Sequence, residues 1–264
     1  MSVYPIAIIG GTGVGQFDLD SPPEQKVIST PYGDALAQTG ILKGKPIVFL
    51  ARHGAGHKVP PHQINYRANI AALVTLGVRA VLATTAVGGL RIELKPGEFV
   101  LLDDLIDFTR DRTHKTFFDG DGGRVVHTDF TRPYSETLRV AIAEAAQVLE
   151  VPIRTTGTYL CNDGPRYETP AEVRLFAQWG ADVVGMTGVP EATLAREAGL
   201  HYAGISLVTN PGAGISPTPL THQEVEEAMQ AAGPQLRRLL TETVARLDAE
   251  SLPAVGPGVL LPGF

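Results

Sequence analysis

The sequence predicts an α/β fold. Apolar runs of strand length alternate almost throughout with segments that repeat apolar residues at helical spacing. The 264 residues are 44% hydrophobic and 19% charged, which allows a sizeable buried core. The sequence contains no repeats, no low-complexity tract and no convincing linker. We therefore expect one domain over residues 1–264, in which residues 250–264, rich in glycine and proline, form an irregular tail.

The strand predictions come from apolar runs bounded by turn residues. The first strand is expected near the amino terminus, at residues 6–10, and the last at residues 202–209. Between them, the sequence predicts strands over residues 46–51, 78–84, 99–102, 155–161 and 183–186.

The helix predictions rest on signals at helix ends. Thr-Pro-Ala-Glu at residues 169–172 forms a capping box with proline in the first turn, and Gly180 ends that helix. A second capping box at residues 221–224 begins a late helix, which we expect Gly233 and Pro234 to break or kink. Further helices are predicted over residues 62–76, 135–150 and 191–198.

A long excursion from the sheet is expected over residues 110–130, where glycine and aspartate are frequent. Loops of that length in compact domains are usually functional or disordered. Whether this segment closes over a site is a question that the sequence leaves open.

The composition argues against several classes of protein. No window of about eighteen apolar residues exists, so no membrane span is predicted. The net charge of −6, without a basic block, argues against nucleic acid as the main partner. The chain starts without the basic region of a signal peptide, and its single cysteine, Cys161, fits a reducing cytoplasm. With no HExxH, no CxxC, and glycines between His53 and His57, we predict no metal site.

A glycine-rich loop follows the first predicted strand. Residues 10–15 fail both nucleotide-binding templates, because Gln16 stands where the dinucleotide motif needs glycine and where the P-loop needs lysine. What remains is a strand-to-turn junction whose backbone amides, with the Thr12 hydroxyl beside them, suit an anion. Taken alone, the loop is better explained as a plain tight turn.

Two further loops end predicted strands with groups that bind phosphate. Arg52 supplies a planar fork matched to a pair of phosphate oxygens, and His53 is a further donor. Thr85 and Ala86 offer a hydroxyl and a main-chain N–H shortly before a glycine pair. Because open α/β sheets bind ligands at the carboxyl ends of strands, the loops together predict a site for free phosphate. A surface arginine beside ordinary turns would explain any one of these loops, but it does not explain well why all of them occur together.

Three side chains match the polar edge of a purine. Tyr167 offers a stacking face, Glu168 when ionised only accepts hydrogen bonds, and Asn210 both donates and accepts. A 6-oxopurine presents N1–H as a donor and O6 and N7 as acceptors, so the set fits it. Adenine fits poorly, because its unprotonated N1 would face the Glu168 carboxylate. The alternative for Glu168 is a residue near a helix N-cap that complements the helix dipole.

From Ile6 to about Leu247, the chain resembles the trimeric branch of the purine nucleoside phosphorylases, which includes the methylthioadenosine phosphorylases. Single motifs would not suffice, but together they are specific. They lie at residues 9–13, 51–54, 65–69, 84–86, 164–166 and 185–191, and they read IGGTG, ARHG, NYRAN, TTA, GPR and GMTGVPE.

The resemblance implies a mixed central sheet, partly barrel-like, flanked by helices. It also implies a homotrimer with active sites near the subunit boundaries, and it leaves open whether trimers pair into a dimer of trimers. The implied reaction is phosphorolysis, in which inorganic phosphate as a co-substrate attacks the anomeric carbon of a purine nucleoside. Neither a metal nor an organic cofactor is needed.

The resemblance further implies the role of each site residue. Asn210 would accept a hydrogen bond from protonated N7 and donate one to O6, and so would act as a catalytic residue together with Arg52 and His53. Tyr167 would pack on the base and Met186 on the ribose. The implied phosphate ligands are Thr12, Arg52, His53, Thr85, Ala86 and Thr187.

Two histidines bear on the sugar. In 6-oxopurine members of the family, an equivalent of His222 at the start of a late helix bonds the ribose 5′-hydroxyl, whereas members that take 5′-methylthio sugars place an apolar residue there. A solvated histidine in the first turn is the alternative for His222. In a trimer His127 would reach a neighbour's sugar pocket, and a surface histidine explains it equally well.

The sequence therefore predicts a purine nucleoside phosphorylase for inosine and guanosine. Adenine-cleaving members carry serine and aspartate at the positions of Glu168 and Asn210, so both residues favour 6-oxopurines. A phosphorylase for 5′-methylthioinosine or 5′-methylthioadenosine stays open as an alternative within the family. Outside it, the alternatives are a hydrolase and a purine-binding sensor without catalysis.

Overall fold

The computed structural model describes residues 3–11, 17–54, 56–110, 115–120, 125–216, 221–253 and 255–256, apart from the side chain of residue 222. It confirms the α/β fold with a mixed sheet, which has eleven strands within these residues. The strands are β1 Ile6–Gly10, β2 Glu24–Thr30, β3 Gly33–Leu42, β4 Lys45–Ala51, β5 Ala80–Gly89, β6 Phe99–Leu101, β7 Asp104–Asp107, β8 Ile153–Arg154, β9 Thr158–Cys161, β10 Val183–Gly185 and β11 His201–Pro211. Within the described ranges, the α-helices are α1 Tyr66–Thr75, α2 Glu136–Val148, α3 Pro170–Gln178, α4 Gly188–Glu197 and α5 His222–Arg246.

Strand β5 is the centre of the sheet. It pairs in parallel with β1 on one side and with β11 on the other, and its last residues pair antiparallel with β10. The main order is β2-β3-β4-β1-β5-β10-β9-β7, and a branch adds β11, β6 and β8. The chain passes from β6 to β7 over Leu102 and Asp103, which links the two branches covalently.

Helices cover both faces of the sheet. In β1, Ala7 and Ile9 pack into the apolar cluster with α1 and α4, while Ile6 and Ile8 pack into the cluster with α2 and α5. Alternate residues of a strand point to opposite faces, so a strand covered on both sides is apolar throughout. This is why β1 is a continuous apolar run in the sequence.

All seven predicted strands are present, but several others were missed. The hairpin of β2 and β3 forms one edge of the sheet, and β2 exposes every second residue fully. The sequence of β2 is therefore too polar to contain an apolar run of strand length. The predicted strand over residues 155–161 is also shorter than expected, since β9 begins at Thr158.

The helix ends follow the predicted caps in most places. Both capping boxes are formed, at Thr169 and at Thr221, and Gly180 has the positive φ of +96° that suits a glycine after a helix. Helix α1 begins at Tyr66 rather than at residue 62, because Asn65 is its N-cap. Residues 61–63 form a separate 3-10 turn.

The excursion is anchored where the structure describes it. The Glu197 carboxylate accepts from the Thr116 hydroxyl at 2.7 Å and from the Phe117 N–H at 2.6 Å. Arg67 of α1 pairs with Asp119 at 2.8 Å. These contacts hold residues 116–119 against α1 and α4. Among the helices described, none is long and apolar enough to cross a membrane.

Of the break or kink predicted at Gly233 and Pro234, the break is wrong. Helix α5 runs without interruption from His222 to Arg246 and contains Pro234 in its interior. The leucines that follow, such as Leu236, Leu239 and Leu240, are buried against the sheet and α2. Because tertiary packing on both sides of the proline holds the helix together, the local cost of proline is overridden.

We therefore expect Pro234→Ala to stabilise the protein by about 2 kcal/mol. Alanine restores a helical N–H and removes a clash, which together are worth about 3 kcal/mol. Part of this gain is offset because the unfolded chain becomes more flexible without the proline. Pro234 is exposed, so no core contact is lost. Urea unfolding at fixed protein concentration measures the change. Gln230→Ala, at an exposed site one turn earlier, is the control and should stay within about 0.5 kcal/mol. A variant no more stable than the control would show that the helix already accommodates the proline.

Candidate active site

A cavity of about 330 Å³ lies where several strands end. It is lined by residues in or just after β4, β5, β10 and β11, with the loop that follows β9 and the first turns of α5 closing it. The structure brings together nine of the predicted site residues on its wall: Arg52, His53, Thr85, Ala86, Tyr167, Glu168, Met186, Thr187 and Asn210.

Three predicted residues are not placed on this wall. Thr12 lies outside the described residues. His222 is the first residue of α5, and its side chain is also outside the description. His127 is exposed and is not among the residues that line the cavity within one chain. In the described ranges, no cluster of three or more histidine, cysteine or acidic side chains suits a metal ion.

Sequence reasoning missed other parts of the wall. The segment directly after the Arg52 loop supplies one side of the cavity, and Thr209 lies beside Asn210. Pro60 and Pro61 were the sequence signal that could have identified this segment, because prolines next to a ligand-binding loop stiffen it. The missed lining residues include His57, Lys58, Val59, Pro60, Pro61, Pro165, Thr209 and Val225.

Arg52 is held by a buried ion pair. Its side chain is 1% exposed, and Nε and Nη2 donate to the two carboxylate oxygens of Glu191 at 2.5 and 2.8 Å. Nη1 donates to the Thr84 carbonyl at 2.8 Å, and the Tyr202 hydroxyl donates to Glu191 at 3.1 Å. Burial opposes the charge of Arg52, but the Glu191 carboxylate outweighs it, so the pKa of Arg52 lies above its ordinary value. The guanidinium N–H groups beyond these contacts suit a ligand oxygen.

Gly11 brings the first glycine-rich loop close to this arginine. A Cβ atom at position 11 would stand 3.0 Å from Nη1 of Arg52, which is tighter than ordinary contact. Gly11 also lines the cavity. Glycine at this position therefore lets the backbone of the loop approach the arginine and its ligand.

His53 is oriented by the backbone. Its Nδ1 lies 2.8 Å from the Val59 carbonyl, and since a carbonyl only accepts, Nδ1 carries the proton. Burial, with smaller contributions from Arg52 and His57, lowers the pKa of His53 to about 4, against the effect of that hydrogen bond. The ring is therefore neutral at pH 7. Its Nε2 therefore accepts rather than donates, so the donor role predicted for His53 is wrong, and this nitrogen suits a protonated oxygen of phosphate.

The amino terminus of α4 contributes a second anion-binding element. Thr187 is the N-cap of α4, yet its side chain makes no capping hydrogen bond. Instead, the Tyr159 hydroxyl accepts from the N–H groups of Thr187 and Gly188, both at 3.2 Å. The Thr187 hydroxyl is thereby left for the cavity, at the positive end of the helix dipole.

A strand irregularity places Asn210. The pairing of β11 with β5 shifts register between Val208 and Asn210, so the consecutive residues Thr209 and Asn210 both line the cavity. Nδ2 of Asn210 donates to the Pro211 carbonyl at 2.9 Å, which fixes the orientation of the amide. The Thr209 hydroxyl donates to Oδ1 at 2.8 Å. Each end of the amide keeps one further hydrogen-bonding position for a ligand.

The sequence profile of the phosphorylase superfamily matches residues 5–245. The chain belongs to this superfamily. It is 51% identical over 245 residues to a protein of Dictyoglomus turgidum named "Probable 6-oxopurine nucleoside phosphorylase", with 93% of this chain and 92% of the relative covered. It is 46% identical over 232 residues to a protein of Pseudomonas syringae pv. tomato named "Probable S-methyl-5'-thioinosine phosphorylase", with 87% and 93% covered.

A solved structure shares the fold. The methylthioadenosine phosphorylase from an antarctic soil metagenomic library superposes with a TM-score of 0.89 at 35% identity, covering 97% of this chain and 90% of the other. The family and the fold that the sequence motifs predicted are therefore confirmed.

The ion pair yields a test of the site's stability. Glu191→Ala should destabilise the protein by about 3–5 kcal/mol, because it leaves the Arg52 charge buried without its partner. The matched control is Glu242→Ala, which removes the partly exposed pair with Arg246 and should cost less than about 1 kcal/mol. Chemical denaturation at fixed protein concentration measures both. Equal losses for the two variants would contradict the role given to the buried pair.

Proposed function

We propose that this protein is a 6-oxopurine nucleoside phosphorylase, which converts inosine or guanosine and phosphate to the free base and ribose 1-phosphate. The observation that best supports this proposal is that both ends of one cavity carry suitable groups. Arg52 and His53 form an anion-binding end, and Glu168 and Asn210 form a base-reading end, which suits the polar edge of a purine. A binder of free base would need only the second end. The name of the Dictyoglomus turgidum relative supports the proposal.

The base-reading end suits a purine with an oxygen at position 6. The carboxylate of Glu168 accepts from N1–H of such a base. The amide of Asn210, with Nδ2 toward Pro211, can donate its second N–H to O6 and accept from a protonated N7. Tyr167 is partly exposed at the rim, where its ring can cover the base.

Phosphate is bound before the bond breaks. The C1′–N9 bond lengthens, the sugar gains oxocarbenium character, and a phosphate oxygen then forms the C1′–O bond. The Arg52 guanidinium and the Thr187 hydroxyl hold the dianion, whose negative charge stabilises the sugar cation. Holding the nucleophile in place also removes the entropic cost of an encounter.

The leaving purine gains electron density, and Asn210 stabilises it once N7 is protonated. The hydrogen phosphate proton ends on the purine, so the reaction is balanced without a cofactor. We therefore propose that inorganic phosphate is a co-substrate and that no metal or organic cofactor takes part.

We further propose a cytoplasmic homotrimer, in which a neighbour completes the sugar end of the site. The catalytic cavity continues into a wider groove of about 810 Å³ that shares Pro61, Pro165 and Met186 with it. This groove leaves room for side chains of a neighbouring subunit, such as His127. Pairing of trimers is a further possible assembly, and nucleic acid is not proposed as a partner.

The second candidate is a 5′-methylthioinosine phosphorylase, and two comparisons favour it. The Pseudomonas syringae relative carries that name, and the superposed structure is of a methylthioadenosine phosphorylase. The candidates share the base-reading end and differ only at the 5′ end of the sugar. There we propose that His222, one turn before the cavity residue Val225, bonds the 5′-hydroxyl.

Base release measured with and without phosphate tests the proposal on inosine, guanosine, adenosine, methylthioadenosine and methylthioinosine. Phosphate-dependent cleavage led by inosine and guanosine is the expected result. Cleavage without phosphate would indicate a hydrolase, and binding without any product would indicate a sensor. Methylthioinosine as the best substrate would favour the second candidate. Adenine nucleosides as the best substrates would show that Glu168 and Asn210 do not select a 6-oxopurine.

Asn210→Asp should lower kcat/KM for inosine by about 100-fold and improve the relative activity on adenosine, because the donor to O6 is lost and an acceptor replaces it. Asn210→Ala is the matched variant, since it removes both donor and acceptor without adding a charge. The ratio of kcat/KM for the two nucleosides is the measurement. Equal proportional losses on both substrates in Asn210→Asp would show that this residue does not read the base.

His222→Ala should lower kcat/KM for inosine by about tenfold and leave 5′-deoxyinosine nearly unchanged, since only inosine has the 5′-hydroxyl. Gln223→Ala, at the next position of α5, is the control and should affect neither substrate. Losses of the same size on both substrates would remove the proposed 5′-hydroxyl contact.

A further inference from the structure

Glu168 has a neighbour that sequence reasoning overlooked. Asn162 directly follows β9, and its backbone N–H donates to the Gly185 carbonyl at 3.0 Å, which ties it to the end of β10. The Oδ1 atom of its side chain accepts from the Gly164 N–H at 2.7 Å. Its Nδ2 donates to Oε1 of Glu168 in a short hydrogen bond.

The orientation of this amide is determined by its surroundings. A backbone N–H only donates, so the amide oxygen must face Gly164 and the NH₂ group must face Glu168. The hydrogen bond engages Oε1 of Glu168, a residue that lines the cavity. Asn162 thus sets the direction of the carboxylate.

Burial is the largest influence on Glu168 and leaves its pKa above the ordinary value, although its own backbone N–H and the Asn162 amide lower that pKa. The nearby charges largely cancel, because Arg166 and Glu172 pair with each other through two hydrogen bonds of 2.8 and 2.7 Å. In the described part of the chain, the other charged groups around the cavity and this loop are Arg52, paired with Glu191, Asp163, paired with Lys115, Arg110 near Asn162, and the exposed Lys58. The titratable His53 and His57 also line the cavity.

The protonation state of Glu168 decides which base it can read. As a carboxylate it accepts from N1–H of a 6-oxopurine. As a carboxylic acid it would donate to the unprotonated N1 of adenine. A group that keeps Glu168 ionised therefore also selects the substrate.

We propose that Asn162 is a positioning residue that determines base specificity, by holding the Glu168 carboxylate in its ionised form with one oxygen directed at N1 of the base. The inference rests on the proposed function. It adds a residue outside the cavity wall, since Asn162 acts through Glu168 and does not touch the substrate.

Asn162→Asp is the sharpest test, because the new side chain keeps the acceptor for the Gly164 N–H and loses only the donor to Glu168. Two carboxylates would then share one site, which raises the pKa of the pair. We expect the acidic limb of kcat/KM for inosine to move up by about one pH unit or more. The preference for inosine over adenosine at pH 6 should fall by about tenfold.

The matched control is Asn65→Asp, the same exchange at the N-cap of α1, where the side chain accepts from the Ala68 N–H at 3.0 Å. Its pH profile and its nucleoside preference should stay as in the parent protein. Asn162→Ala serves as the second variant, should the paired carboxylates impair folding. It should move the acidic limb in the same direction by a smaller amount.

A ¹³C NMR titration of the Glu168 carboxyl gives a readout that does not depend on activity. Its pKa should rise in both Asn162 variants and stay unchanged in Asn65→Asp. An unmoved carboxyl pKa, or equal losses on inosine and adenosine with an unmoved acidic limb, would overturn the role of Asn162. Absence of phosphate-dependent cleavage in the parent protein would instead overturn the proposed function, and the titration would still decide the inference about Asn162.

Discussion

The buried ion pair between Arg52 and Glu191 is the constraint on which the rest of the site depends. It joins the loop after β4 to helix α4, and the Thr84 carbonyl adds β5 to the same contact. A charge this deeply buried is tolerable only with a partner of opposite charge and several hydrogen bonds. Meeting that requirement aligns three elements, so the phosphate end of the cavity is rigid before any ligand binds.

The sheet turns this local constraint into a site. Strand β5 pairs in parallel with β1 and β11, so the loops that follow these strands meet at one edge of the sheet, and the antiparallel β10 ends beside the part of β5 that lines the cavity. The register shift in β11 then directs Thr209 and Asn210 together into the cavity. A regular strand would have turned one of the two away, because successive side chains point to opposite faces.

The two ends of the cavity work by different physics. At the phosphate end, a fixed positive charge and a helix amino terminus attract an anion, and a neutral His53 avoids adding a second charge. At the base end, selection depends on the direction of hydrogen bonds, which the carbonyl of Pro211 sets for Asn210 and the N–H of Gly164 sets for Asn162. Both amides are oriented by backbone groups that can play only one role, so their readout does not depend on side-chain rotation.

The sequence by itself determined the fold class, the buried strands, the capped helices and nine residues of the cavity wall. These follow from apolar periodicity, from local end signals and from the chemistry of single side chains at strand ends. It did not reveal the polar edge hairpin of β2 and β3, the continuity of α5 through Pro234, the pairing of Arg52 with Glu191 or the contact between Asn162 and Glu168. Packing decided the first two, since burial elsewhere outweighs local propensity. The last two join residues that are 139 and 6 positions apart, and only the tertiary structure shows which donor meets which acceptor.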